Sequence, residues 1–215
     1  MKTRNMIMSA ILAGIAYVVM FAGRIPISTV EFLKYDPKDI IIVIGGFIMG
    51  PSYAFLISFI SSVLELFTVS TTGLWGFLMN VISTCSFACT ASFIYKKNRT
   101  LPGAIIGLAV GCAVMALLML SWNYLITPFY MGVPRAELAK MLIPVFLPFN
   151  LLKGVMNAAI TLIVYKPVVI ALNKSGIIRI GDAGKQGKIN VEVLSASVLV
   201  LLTAVLIILA MKGII

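Results

Sequence analysis

The sequence predicts an all-α membrane protein with one compact helical domain, and three observations carry that prediction. Hydrophobic residues fill 61% of the 215 positions and charged residues only 11%, with a mean hydropathy of +1.10, far outside soluble composition. Several apolar runs approach the ~20 residues that a helix needs to cross a bilayer. The 17 basic residues, against 7 acidic, fall in short segments between those runs. That is how topology signals are distributed, so the net charge of +10 is not read as a nucleic-acid surface.

Met6–Ala22 follows Met1-Lys-Thr-Arg and is too long for a signal-peptide core; no Ala-x-Ala-like site follows it. It is read as the first transmembrane helix. Its small residues pair at four-residue spacing, Ser9 with Ala13 and Ala10 with Gly14, a face that permits close helix approach. Arg24 to Lys38 is a polar segment mixing aromatic and charged residues, suited to a loop folded over something or to a plain solvated connector. Asp39–Met49 is a short apolar helix broken by Gly50-Pro51. Tyr53–Phe67 returns across the membrane with Glu65 near its end. Trp75–Tyr95 is the fourth span and carries Asn80, Ser83, Thr84 and Ser86. Leu101–Ile126 is the fifth, with Gly103, Gly107 and Gly111 in a GxxxGxxxG face and Trp122-Asn-Tyr124 at its end.

Thr127–Lys140 reads as a loop. After Pro144 and Pro148, which suit an extended entry or a first helical turn, the sixth span begins. On it Asn150, Lys153, Asn157 and Thr161 fall at i, i+3, i+7 and i+11 and share one face. A polar stripe on an apolar helix points at protein or a cavity, not at lipid. By themselves these residues leave two readings open. A lysine near a helix end can snorkel to the headgroups, and asparagines can bridge helices; the same stripe can face a ligand. Lys166–Lys188 is basic and glycine-containing, and Val191–Met211 is apolar and long enough for a seventh span.

With the N-terminus inside, inner segments hold ten basic residues and outer segments six, which favours that orientation. The long first loop, Trp122–Tyr124 and the start of the striped helix then share the outer side, where a ligand site is expected.

The chain has no histidine, which excludes Ser/His/Asp and Cys/His nucleophilic sites and most zinc hydrolase sites. Cys85, Cys89 and Cys112 lie in apolar runs and read as packed thiols. Gly181-Asp-Ala-Gly-Lys-Gln-Gly-Lys188 fails the spacing of a phosphate loop. No pair of carboxylates lies mid-membrane, so a proton relay of Asp or Glu has little to work with. An enzyme would need convergent acid–base groups, and a scaffold would not need an aligned polar stripe; a binder fits best.

Phe32-Leu-Lys-Tyr-Asp-Pro-Lys-Asp39 running into Ile44-Gly-Gly-Phe-Ile-Met-Gly-Pro51, then Trp122-Asn-Tyr124, then Leu147-Pro-Phe-Asn-Leu-Leu-Lys-Gly154, give the chain a specific resemblance. It resembles the substrate-binding S component of energy-coupling factor (ECF) vitamin transporters, of the riboflavin-specific type, over roughly residues 1–172. The resemblance implies a six-helix S-component bundle, an outward-facing vitamin pocket capped by the first loop, and no enzymatic activity or cofactor. Residues 173–190 would be a basic cytoplasmic linker, and residues 191–215 an additional transmembrane helix that departs from the six-helix pattern. Asn123, Asn150 and Lys153 match flavin-contacting positions; Asn80 and Leu33, Lys34, Tyr35 and Asp36 are further carry-overs. Ser9, Ala10, Ala13 and Gly14 would meet a membrane coupling subunit, itself joined to two cytoplasmic ABC ATPases. Riboflavin would be the transported ligand, an uncharged flat ring whose alternating donors and acceptors suit amides and a lysine. An S component for a different vitamin or precursor is the alternative within this class, and a non-transport membrane scaffold the alternative outside it.

Overall fold

A computed structural model describes residues 2–26, 33–174 and 191–211. Helix α1 (Lys2–Gly23) leads into a two-residue antiparallel pairing of β1 (Ile25–Pro26) with β2 (Lys34–Tyr35). Then follow α2 (Lys38–Met49), α3 (Pro51–Thr68), α4 (Gly73–Lys97) and α5 (Leu101–Leu125). Among the described residues, six helical stretches are long and apolar enough to cross a membrane; α2 is not one of them. Its 12 residues reach only ~18 Å at ~1.5 Å per residue. Gly50, at φ +106, makes the sharp turn from α2 into α3, and Pro51 supplies the first helical residue.

The segment read as a loop, Thr127–Lys140, is helical instead: α6 (Thr127–Met131) and α7 (Arg135–Met141). A π-helical turn over Leu142–Phe146 then joins α7 to α8 (Leu147–Lys174). Pro144 and Pro148 remove two backbone donors here, so the ordinary i→i−4 ladder cannot run through. Helix α8 also continues through Pro167, beyond the start of the expected basic segment. The remainder of that segment, residues 175–190, lies outside the described residues, as do Glu31 and Phe32 of the first loop. Val191–Met211 forms α9, which packs on α8 through a face containing Ala204.

Packing explains why the glycines stand where they do. A Cβ at Gly107 would lie 2.7 Å from the Ala91 carbonyl oxygen, and one at Gly111 2.6 Å from that of Phe87, so α4 and α5 touch backbone to backbone. Gly103 instead packs on the α4–α5 connection at Asn98. The largest buried cluster joins Ala13 and Ala16 of α1, Ile42, Val43 and Phe47 of α2, Phe87 of α4 and Met115 of α5. At one end of the bundle Phe47 stacks on Tyr95 with centroids 4.3 Å apart, and the Tyr95 and Tyr165 hydroxyls share a hydrogen bond. The opposite end is held open.

Candidate functional site

The four-residue stripe on α8 faces inward throughout. Asn150, Lys153, Asn157 and Thr161 are all buried. Lys153 does not snorkel: it is only 5% exposed and its Nζ lies 3.3 Å from Asp39 Oδ2. Asp39, at the start of α2, is completely enclosed. Thr84 Oγ1 donates to its Oδ1 at 2.7 Å, and Asn157 Nδ2 to its Oδ2 at 3.2 Å. Three helices thus meet on one carboxylate, and that carboxylate fixes where the Lys153 ammonium sits.

Above this point a cavity opens between the first loop and the ends of α3, α4, α5 and α8. The loop contributes Arg24, Leu33, Lys34 and Asp36; α3 contributes Glu65; α4 contributes Met79, Asn80 and Ser83. Met119 and Asn123 come from α5, and Phe149, Asn150 and Lys153 from α8. Of the eight residues the sequence singled out for a ligand, seven line this one cavity. Tyr35 is the exception: the alternation of the short β2 strand turns it away, into an apolar cluster with Leu138, Phe146 and Phe149.

The amides are set by their own helices. Asn123 Nδ2 donates to the Met119 carbonyl at 2.7 Å, and its Oδ1 accepts from Thr127 Oγ1 at 3.1 Å. Asn150 Nδ2 donates to the Phe146 carbonyl at 2.7 Å, which leaves its Oδ1 for the cavity. Asn80 and Lys34 line the same space without a protein hydrogen bond among the described residues. Met79, Met119, Leu33 and Phe149 supply apolar surface between these groups. Such a wall can sandwich a flat ring and satisfy alternating donors and acceptors at its edge.

The sequence reading missed a network of charges. Arg24 Nε lies 2.8 Å from Asp36 Oδ1, and a terminal nitrogen of Arg24 also bonds Glu65. Lys38 bonds Glu65 and lies 3.8 Å from Asp36. So the chain does carry a carboxylate cluster, Asp36, Asp39 and Glu65, which is invisible in sequence because its members lie on separate elements. Glu65 near the end of an apolar helix was the available signal. Burial alone would raise Asp36, but Lys38, then Arg24 and Lys153, outweigh it and hold the carboxyl below its ordinary value. Burial would likewise lower Arg24, yet Asp36 and Glu65 keep it raised.

The small-residue face of α1 divides. Ser9 and Ala13 are fully buried inside this chain and packed against its other helices. Ala10 is exposed, and a Cβ on Gly14 would meet nothing within 4 Å.

Comparison with known proteins follows the same lines. Residues 4–165 match the family model described as ECF transporter, substrate-specific component. The chain is 27% identical over 174 residues to the riboflavin transporter FmnP of Bacillus subtilis, covering 77% of this chain and 92% of that protein. It is 25% identical to the riboflavin transporter RibU of Streptococcus thermophilus, over 78% of this chain and 83% of the relative. Among solved structures, an S component of a bacterial ECF transporter superposes with a TM-score of 0.69 at 24% identity, covering 80% of this chain and 99% of that one.

Proposed function

The chain belongs to the family of ECF transporter substrate-specific components, and from that premise we propose that it is the riboflavin-binding membrane subunit of such a transporter. The observation that carries this reading is convergence. Asn80, Asn123, Asn150 and Lys153, from three helices, line one cavity with Leu33, Lys34 and Asp36 of the first loop. The relatives at 25–27% identity are named riboflavin transporters, which supports the choice of ligand. Asn150 Oδ1, the Asn80 amide and the Lys153 ammonium would meet the pyrimidine edge and the ribityl hydroxyls. Phe149 and the methionines would hold the ring.

The remaining assignments belong to the same proposal. The cavity end faces outside and Lys96–Arg99 faces the cytoplasm, as the distribution of basic residues favours. The outward face of α1 around Ala10 and Gly14 meets a membrane coupling subunit, and two separate ABC ATPases drive uptake. Helix α9, beyond the matched residues, is an additional span on the flank of α8, joined through a basic linker. The direct test is chemical. Protein purified in detergent from riboflavin-fed cells carries flavin absorbance, and stripped protein quenches riboflavin fluorescence saturably on mixing. Folded protein that neither carries nor quenches flavin would refute the assignment.

A further inference from the structure

A matched set of charges stands along and behind the polar wall of the cavity: Arg24, Asp36, Glu65 and Lys153 line it, and Lys38 and Asp39 lie behind. Arg24, Lys38 and Lys153 supply three cations, and Asp36, Asp39 and Glu65 supply three anions. Each cation has a carboxylate against it: Arg24 has Asp36 and Glu65, Lys38 has Glu65, and Lys153 has Asp39. Five of the six are 5% exposed or less. Burying ions costs several kcal/mol each unless partners compensate, so this is an expensive wall for a ligand that amides alone could orient. A site built for an anion does the opposite and leaves its guanidinium fork free for a phosphate or carboxylate. Here the fork of Arg24 is already engaged by two carboxylates, and Asp36 and Glu65 themselves line the cavity.

We propose that Asp36, Asp39 and Glu65 determine ligand specificity: by neutralising Arg24, Lys38 and Lys153 they tune the cavity to an uncharged flavin and against its phosphate monoester. The inference rests on the flavin-binding reading above. A phosphate on the ribityl end would bring about −1.5 to −2 charges to a wall whose Arg24 and Lys153 cations are already paired and whose carboxylates Asp36 and Glu65 stand beside them. Lys34 is the remaining cation on the wall. It is partly exposed, so its charge is solvated and screened and contributes only residual attraction. Removing one carboxylate unmasks a buried cation and changes the preference; removing that carboxylate together with one cation restores it.

The experiment is a titration of the purified chain with riboflavin and with flavin mononucleotide, each at low and high salt. Wild type binds riboflavin more tightly than the phosphate ester. Glu65→Gln keeps the shape and loses one charge. It narrows the ratio of the two dissociation constants by about tenfold or more, equivalent to ~1.4 kcal/mol, and makes binding of the ester weaken with added salt. Glu65→Gln combined with Lys38→Met returns the ratio towards wild type. Asp39→Asn narrows it through Lys153, and replaces Glu65→Gln as the test should that variant not be monodisperse. Riboflavin binding with an unchanged ratio in both single variants overturns the inference and leaves the flavin reading standing, as does a wild type that binds the two equally. A folded wild type that binds neither flavin overturns both.

Discussion

Lys153 is held from behind by Asp39 and borders the cavity in front, so its removal has two separable effects. Lys153→Met keeps the stem but deletes the donor. Losing one hydrogen-bonding partner from a buried site costs about 1–3 kcal/mol, so riboflavin binding weakens roughly 10- to 100-fold. The same change strands the Asp39 carboxylate, and breaking a buried pair destabilises by ~3–5 kcal/mol. A drop in melting temperature therefore accompanies the loss of affinity, and pairing Lys153→Met with Asp39→Asn recovers the melting temperature without recovering the affinity. Asp36 sets the pH behaviour. Its folded value lies below the ordinary 3.8, so its contribution to stability is present above that value and is lost as pH falls through the folded one. The hold of Asp36 on Arg24 within the loop is accordingly constant from about pH 8 to about pH 5 and weakens only in stronger acid, which loop-specific proteolysis at graded pH would show. The amides and the lysine were legible one by one because polar residues on apolar helices stand out. Their partners were not: Thr84, Asn157 and Glu65 meet Asp39 and Arg24 across separations of 45, 118 and 41 residues, and no local pattern encodes such pairings.

At the scale of elements, periodicity did most of the work. The 3.6-residue repeat exposed the inward face of α8, and the four-residue glycine spacing exposed the α4–α5 contact. What it could not show was the backbone between Leu125 and Leu147, where prolines suggested irregular chain and the structure builds two short helices and a π turn. The expected loop is helical because Pro128 and Pro134 sit at helix starts, where a missing N–H costs nothing. The α4–α5 contact gives a sharp prediction. Gly107→Leu and Gly111→Leu drive a side chain into the Ala91 and Phe87 carbonyls. Overpacking of this kind costs about 1–3 kcal/mol or more, so both variants lose monodispersity or melt well below wild type. Gly14→Leu faces open space and leaves the melting curve where it was.

For the whole molecule, the proposal of a binder that depends on other subunits for work draws its support from the family fold, the cavity at one end and the outward strip of α1. Reconstituted alone in liposomes, the chain retains riboflavin binding but does not concentrate the vitamin on addition of ATP; accumulation by this chain alone would refute the dependence on partners. Gly14→Leu or Ala10→Trp lowers uptake in cells while leaving riboflavin affinity unchanged, whereas Ala13→Trp, being in the core, damages the fold itself. An impermeant thiol reagent applied to intact cells leaves a cysteine at Asn98 unlabelled, in keeping with a cytoplasmic α4–α5 turn. The central claim, that the cavity lined by Asn150 and Lys153 is the riboflavin site, is tested most directly by isothermal titration of riboflavin into the folded, monodisperse chain and its Lys153→Met and Asn150→Leu variants. Saturable binding by the wild type, weakened roughly 10- to 100-fold in each variant, is the predicted result. The same dissociation constant in all three proteins would contradict it.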